Sequence, residues 1–226
     1  MSFEIKPVAH IESDFESKFG IPRQPGLVDE LEARIVFEPE FRDREAIRGI
    51  EGYSHIWLIW QFSENIRSDW SPTVRPPRLG GNTRVGVFAS RSPFRPNSLG
   101  LSCVKLERIE NDVKNGAVLV VKGADLMNGT PIFDIKPYLP YSDCVPAATE
   151  GFAPQPVAAL EVHFSEGTEN IIAGEKKEAL VKLLSYDPRP HYQNDSERIY
   201  GFKFAGHEIK FRVSEGTLTI LEITAE

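Results

Sequence analysis

The chain has 226 residues, of which 41% are apolar, 26% charged and 10% aromatic, which excludes disordered, collagen-like and coiled-coil architectures and predicts one large domain or a domain with a small companion. Its longest purely apolar run, Ile56 to Trp60, falls far short of the ~20 residues that cross a bilayer. The net charge of −7 argues against a nucleic-acid partner only as an average: from Trp70 to Leu106 the chain holds Arg75, Arg78, Arg84, Arg91, Arg95 and Lys105 and no acid, so this window carries +6 and the remainder −13.

The N-terminus intersperses Glu4, Glu12, Asp14 and Glu16 among its apolar residues, unlike a signal peptide, so a cytoplasmic location is expected. Strands are predicted over Ser2–Ile11, Arg34–Phe37 and Ser54–Phe62, with a helical turn near Arg42–Ile47. The run SHIWLIWQF is nearly continuous and suits a strand buried on both faces. Val85–Phe88, Leu101–Ile109, Ala117–Gly123 and Thr130–Ile135 continue the series, with Asn115-Gly116 marking a hairpin turn. Short strands with Gly/Pro punctuation predict a mainly β fold, a single closed or nearly closed antiparallel barrel over residues 1–145. Residues 146–156 read as a linker. Residues 157–226 read as a small C-terminal α+β domain: a strand at Val157–Phe164, a helix over Glu169–Leu184 with Ala179, Leu180, Leu183 and Leu184 on one face, and a three-stranded meander from Arg198.

Many common site signatures are missing. No G-x-G triplet, GxxxxGK[ST] loop, HExxH or GxSxG elbow occurs, and the five histidines show no ligand spacing, so no metal is expected. Cys103 and Cys144 read as reduced thiols. Three loops are dense in informative residues. Ile21-Pro-Arg-Gln-Pro-Gly-Leu27 is either an ordinary turn, which composition alone favours, or a close approach of main chain to a ligand. Residues 75–101 space arginines with prolines and lack acids, which favours anion or RNA recognition over a merely solvated loop. In residues 123–141, strand alternation puts Asp134, Lys136 and Tyr138 on one face, which favours a site over a salt-bridged barrel wall.

PRQPGL at 22–27, RPPRLGGN at 75–82, GVFASRSPFRPNSLGLS at 86–102 and DLMNGTPIFDIKPYLPY at 125–141 closely resemble the TsaA-like (TrmO) family, and DPRPHY at 187–192 resembles its bacterial C-terminal domain. The resemblance implies a single-barrel, S-adenosylmethionine-dependent methyltransferase that acts on N6 of threonylcarbamoyladenosine at position 37 of tRNA, next to the anticodon. It implies a homodimer with the cofactor near the subunit interface. Carried over by position, the cofactor site comprises Pro25, Gly26, Leu27, Ser63, Glu64, Arg91, Leu101, Gly123, Ala124, Asp125 and Leu126. Asn128 stands where the family usually has Asp, and Ser98 where it usually has proline.

The chemistry of this cofactor asks for a cation such as Arg91 at its carboxylate and for backbone carbonyls or an acid such as Asp125 near its sulfonium, with Leu27 and Leu101 sandwiching the adenine. The accepting nitrogen lies between a purine and a carbonyl and is unusually acidic. Asp134 or Tyr138 is therefore expected to accept or orient its proton, and Lys136 to stabilise charge. Arg75, Arg78, Arg84, Arg95 and Arg189 are expected to meet anticodon-loop phosphates, with Lys182, Tyr192 and Arg198 extending the footprint. Phe94 is either a base-stacking platform or a core residue. The alternatives are a non-catalytic tRNA- or anion-binding module, and a hydrolase of a phosphorylated or adenosyl compound.

Overall fold

Period-two burial and strand register organise the first half of the chain. The structure, a computed structural model, describes residues 4–66, 69–153, 158–189 and 195–225. β1 (Ala9–Glu12), β2 (Glu32–Phe37) and β3 (His55–Gln61) precede a ribbon of two short strands, β4 (Thr73–Val74) and β5 (Val85–Gly86). The long β6 (Leu99–Asp112), then β7 (Gly116–Lys122) and β8 (Pro131–Pro137) follow. β1, β2, β7, β6, β3 and β8 pair antiparallel in that order and β8 returns to β1, so the six strands close on themselves. Ile11, Ile35, Ile56, Leu58, Leu119 and Ile132 point inward and are fully buried. The β6–β7 turn holds its shape because Asp112 Oδ1 accepts from the N–H groups of Lys114 and Asn115, at 2.9 and 2.8 Å.

β3 differs from the expectation of two buried faces. Ile56, Leu58 and Trp60 face the core, whereas Trp57 and Ile59 face outward, beside Cys103 and Leu101 of β6 and opposite Lys136 and Asp134 of β8. The outer wall here is thus apolar, with Leu101 55% exposed. Several predicted strands shorten. The first begins only at Ala9, its residues 2 and 3 lying outside the described ones, Val85–Phe88 becomes β5 followed by a 3-10 turn at Val87–Ala89, and Val157–Phe164 keeps only Glu161–Phe164, residue 157 lying outside the described ones.

After a single helical turn, α1 (Pro140–Asp143), the second unit forms a sheet in the order β10 (Tyr200–Phe204), β11 (His207–Ser214), β12 (Thr217–Ala225), β9 (Glu161–Phe164), with β9 parallel to β12. Helix α2 (Glu175–Ser185) packs its predicted apolar face, Ala179, Leu180, Leu183 and Leu184, on Phe204, Phe211, Leu218 and Ile220. It begins at Glu175 and not at Glu169, because residues before it turn instead, Thr168 donating to the Ser165 carbonyl at 2.8 Å. This core also recruits the β1–β2 loop, whose Phe15, Val28 and Leu31 are buried in it. Phe19 stacks on Tyr200 and Phe211 at 6.4 and 6.3 Å, and Lys176 and Lys182 of α2 pair with Asp14 and Glu30 at 2.9 and 2.7 Å. No described helix is long and apolar enough to cross a membrane.

Candidate active site

The β3–β6 register sets the floor of the site. Trp60 lies opposite Gly100, where any Cβ would overlap the indole ring, so glycine is what lets the ring lie across β6. Trp60 Nε1 donates to Ser102 Oγ at 2.9 Å, and that hydroxyl donates to Asp125 Oδ1 at 2.5 Å. Asp125 is thereby fixed on the wall of a cavity of about 670 Å³, together with Gln24, Ser63, Glu64, Arg91 and Leu101. Burial pushes its pKa up to about 6, against the opposing pull of the Ser102 hydrogen bond and the Arg91 charge. Arg91 in turn donates to Gln24 Oε1.

A main-chain clasp brings the first and third loops together. Gly123 has φ 76°, its carbonyl accepts the Gly26 N–H at 2.9 Å, and a Cβ on it would stand 3.2 Å from Gly26 Cα. Gly26 and Gly123 thus hold the cavity together without contributing a wall, and Pro25 likewise contributes none. Ala124 and Leu126 are buried in the barrel core, so only their main chain is left for a ligand. Leu27 packs against the second core and lines a neighbouring cavity of about 750 Å³. The expected Leu27–Leu101 sandwich is therefore not formed within one chain. Of the two departures from the family pattern, Asn128 has a clear job: its Oδ1 accepts the Ser13 N–H at 3.2 Å, as a carboxylate would. Ser98 adopts φ 46°, a backbone that the proline ring forbids.

Asp134, Lys136 and Tyr138 do share a side of the sheet, but it is the outer one, and none of them lines the cavity. Lys136 Nζ lies 3.0 Å from Asp134 Oδ2. The Tyr138 ring packs on Trp57 at 5.8 Å, and desolvation with the nearby Cys144 and Cys103 thiols holds its phenol above its usual pKa. Trp57 Nε1 donates to Asp143 at 2.9 Å, which seats the indole on this outer face. Leu101 belongs both to that face and to the cavity wall, so the two adjoin.

Beside the cavity runs a larger groove of about 1530 Å³ lined by Arg23, Arg75, Arg78, Arg84, Arg91 and Arg189, and the two share Gln24, Arg91 and Phe94. Phe94, 37% exposed, is a wall residue and not core. Arg75 and Arg84 are exposed and make no ion pair among the described residues. Arg95 is different: its guanidinium donates to the Ser90 carbonyl at 2.7 Å and so staples its own loop. Arg189 is held by Asp187 through two 2.8 Å hydrogen bonds. Lys182 is engaged by Asp29 and Glu30, Arg198 lies over the Tyr200 ring at 5.3 Å, and Tyr192 falls outside the described residues. Sequence reasoning missed Gln24, Trp60 and Ser102. The signal for Trp60 and Ser102 is the β3–β6 pairing, and that for Gln24 is the folding of the β1–β2 loop onto Arg91, neither of which residue spacing carries.

Comparison with known proteins bears directly on this arrangement. The tRNA-methyltransferase O N-terminal domain model matches residues 10–144, and the TrmO C-terminal domain model matches residues 157–226. The chain is 36% identical over 231 residues to the tRNA (adenine(37)-N6)-methyltransferase of Escherichia coli K12, covering 98% of each. It is 39% identical over 211 residues to a putative S-adenosylmethionine-dependent methyltransferase, RcsF, of Pseudomonas aeruginosa, covering 90% of this chain and 89% of that one. A crystal structure of TrmO from Pseudomonas aeruginosa superposes with a TM-score of 0.77 at 30% identity, over 100% of both chains. With both domains matched in order along essentially its whole length, the chain belongs to the TrmO family of tRNA methyltransferases.

Proposed function

We propose that the protein is an S-adenosylmethionine-dependent methyltransferase of tRNA, acting as a homodimer on N6 of threonylcarbamoyladenosine at position 37. The observation that carries this reading is the juxtaposition of Arg91 and Asp125 in one cavity of about 670 Å³ that opens onto an arginine-lined groove. That volume suits a small-molecule ligand. The pair of opposite charges suits one that bears both a carboxylate and a sulfonium, and Leu101 offers apolar surface to a purine. When bound, the cofactor supplies an already activated methyl group, so the protein's contribution is positioning and charge.

Arg91, braced by Gln24, holds the carboxylate end. Asp125, braced by Ser102 and Trp60, faces the cationic end. For the accepting nitrogen the chain offers the Asp134 carboxylate, 3.0 Å from Lys136 Nζ, as the proton acceptor, while Tyr138, with its raised pKa, stays a neutral phenol that orients the base by donation. Lys136 then faces charge that develops as the proton leaves. The homodimer reading is supported by the apolar outer row of Trp57, Ile59, Leu101 and Cys103, which adjoins these three residues and the cavity edge. A second copy seated there brings one chain's Asp134, Lys136 and Tyr138 toward the other chain's cavity.

The test is transfer of an isotope-labelled methyl group from S-adenosylmethionine to tRNA with and without the threonylcarbamoyl group. Label confined to the modified tRNA is expected. Equal labelling of both, or of neither, overturns the substrate assignment.

A further inference from the structure

Besides Phe94, two large aromatic side chains stand exposed beside the arginine groove and belong to no core: Trp70 is 54% and Phe88 73% exposed. The fold brings them together. Pairing of Thr73 with Gly86 and the 2.9 Å hydrogen bond from the Val87 N–H to the Pro72 carbonyl lay the chain before β4 against the turn after β5, and the two ring centroids are 6.3 Å apart with planes at 33°. The ledge is fixed in advance. Val87, 1% exposed, anchors the turn from below, and the Arg95 guanidinium, tied to the Ser90 carbonyl, lies 5.9 Å from the Phe88 centroid. Both rings line the groove that also holds Arg75 and Arg84.

Rigid exposed rings among guanidinium groups with few acids match the chemistry of a single-stranded nucleic acid, which offers a flat base beside a phosphate. On the reading of the protein as a tRNA methyltransferase, we infer that Trp70 and Phe88 form a stacking subsite for an unpaired anticodon-loop base flanking the modified adenosine. Stacking of that neighbour holds the loop open, and the phosphates on either side of it reach Arg75 and Arg84. Because every base has a π-face, the subsite tolerates different loop sequences and contributes position and affinity, not a base code.

The test uses the full chain and a synthetic anticodon stem-loop carrying threonylcarbamoyladenosine. Trp70→Ala and Phe88→Ala should each raise KM for this RNA about tenfold, as loss of one stacked base does, with kcat and the affinity for S-adenosylmethionine unchanged. Trp70→Phe and Phe88→Tyr should restore most of the loss. Stem-loops with an abasic nucleotide at each loop position in turn should include one whose loss matches that of Trp70→Ala and does not add to it. The proposal is overturned if no abasic position shows this non-additivity, or if the alanine variants change the oligomeric state, which would make the ledge a contact between copies of the chain. Failure of the wild-type protein to methylate the intact stem-loop would instead sink the methyltransferase reading itself.

Discussion

At Gly100 a single hydrogen in place of a methyl group decides whether Trp60 can cross β6 and reach Ser102, and through Ser102 fix Asp125. Gly100→Ala is expected to destabilise the protein by about 1–3 kcal/mol, the usual cost of overpacking, and to weaken S-adenosylmethionine binding as Asp125 loses its brace. Urea denaturation and calorimetry on the same variant check both. Asp125 makes a second prediction. Its folded pKa, about 6, lies above the ordinary carboxylate value, so the folded state binds the proton more tightly than the unfolded chain and stability falls as pH rises from about 4 through about 6. Binding of a sulfonium favours the ionised form, so affinity for the cofactor should rise with pH up to about 6 and then level off. Asp125→Asn should flatten the pH profile of affinity, and a variant that keeps the wild-type slope would remove Asp125 from the cationic end. Asp125 itself was legible in the sequence from its motif. The two residues that tune it were not, because Trp60 and Ser102 meet it only through strand register.

Among the elements, β3 shows where pattern reading stops. A run such as HIWLIWQ states that both faces are apolar, but not whether the chain itself covers both, and here it covers one. The longer strands were legible from alternation and the α2 face from its leucine spacing. Of the β4–β5 ribbon only β5 was, inside the predicted Val85–Phe88 strand, since the two residues of β4 between prolines carry no periodicity. Nor was the capture of Phe15, Val28 and Leu31 by the second core, a long-range docking of a loop that composition cannot announce. That docking matters to the site, because the same loop carries Gln24 and the clasp at Gly26, and its Arg23 donates to the Asp187 and Arg189 carbonyls at 2.9 and 3.0 Å. The ribbon has its own prediction. Arg75 and Arg84 are exposed cations with no ion pair among the described residues, so replacing each with alanine should weaken tRNA binding and lower the slope of log K against log salt by about 0.7, the value for one contact to a single-stranded phosphate. Arg95→Ala should act otherwise, disturbing its loop and the Phe88 ledge more than the salt slope. A titration across salt concentrations separates the two behaviours, and an unchanged slope for Arg75→Ala and Arg84→Ala would remove them from the phosphate contacts.

Over the whole molecule, charge is segregated rather than balanced. The acids on the barrel's β1, β2 and β6 strands are paired with cations, Arg34 with Glu12 and Asp112 at 2.8 and 3.0 Å and Arg108 with Glu32 at 2.6 Å. The groove, by contrast, gathers arginines from the acid-free window with Arg23 and Arg189. A net charge of −7 is therefore compatible with an RNA footprint on one side. The homodimer proposal gains a direct test from the separation of Asp134, Lys136 and Tyr138 from the cavity in one chain. Asp125→Asn and Asp134→Asn proteins, each inactive alone, should regain activity when mixed after subunit exchange, up to about a quarter of wild type, since half of the two-fold dimers then carry one intact composite site. No recovery, with exchange shown to occur, would place each site within a single chain. The central claim is methyl transfer to one nitrogen of one base. It is tested most directly by mass spectrometry of nucleosides digested from tRNA that carries threonylcarbamoyladenosine, after incubation with the protein and S-adenosylmethionine. The account predicts that threonylcarbamoyladenosine gains a methyl group, located by fragmentation at N6, and that no other nucleoside does. A methyl group on any other nucleoside, or unmethylated threonylcarbamoyladenosine from a protein that binds the cofactor, would contradict it.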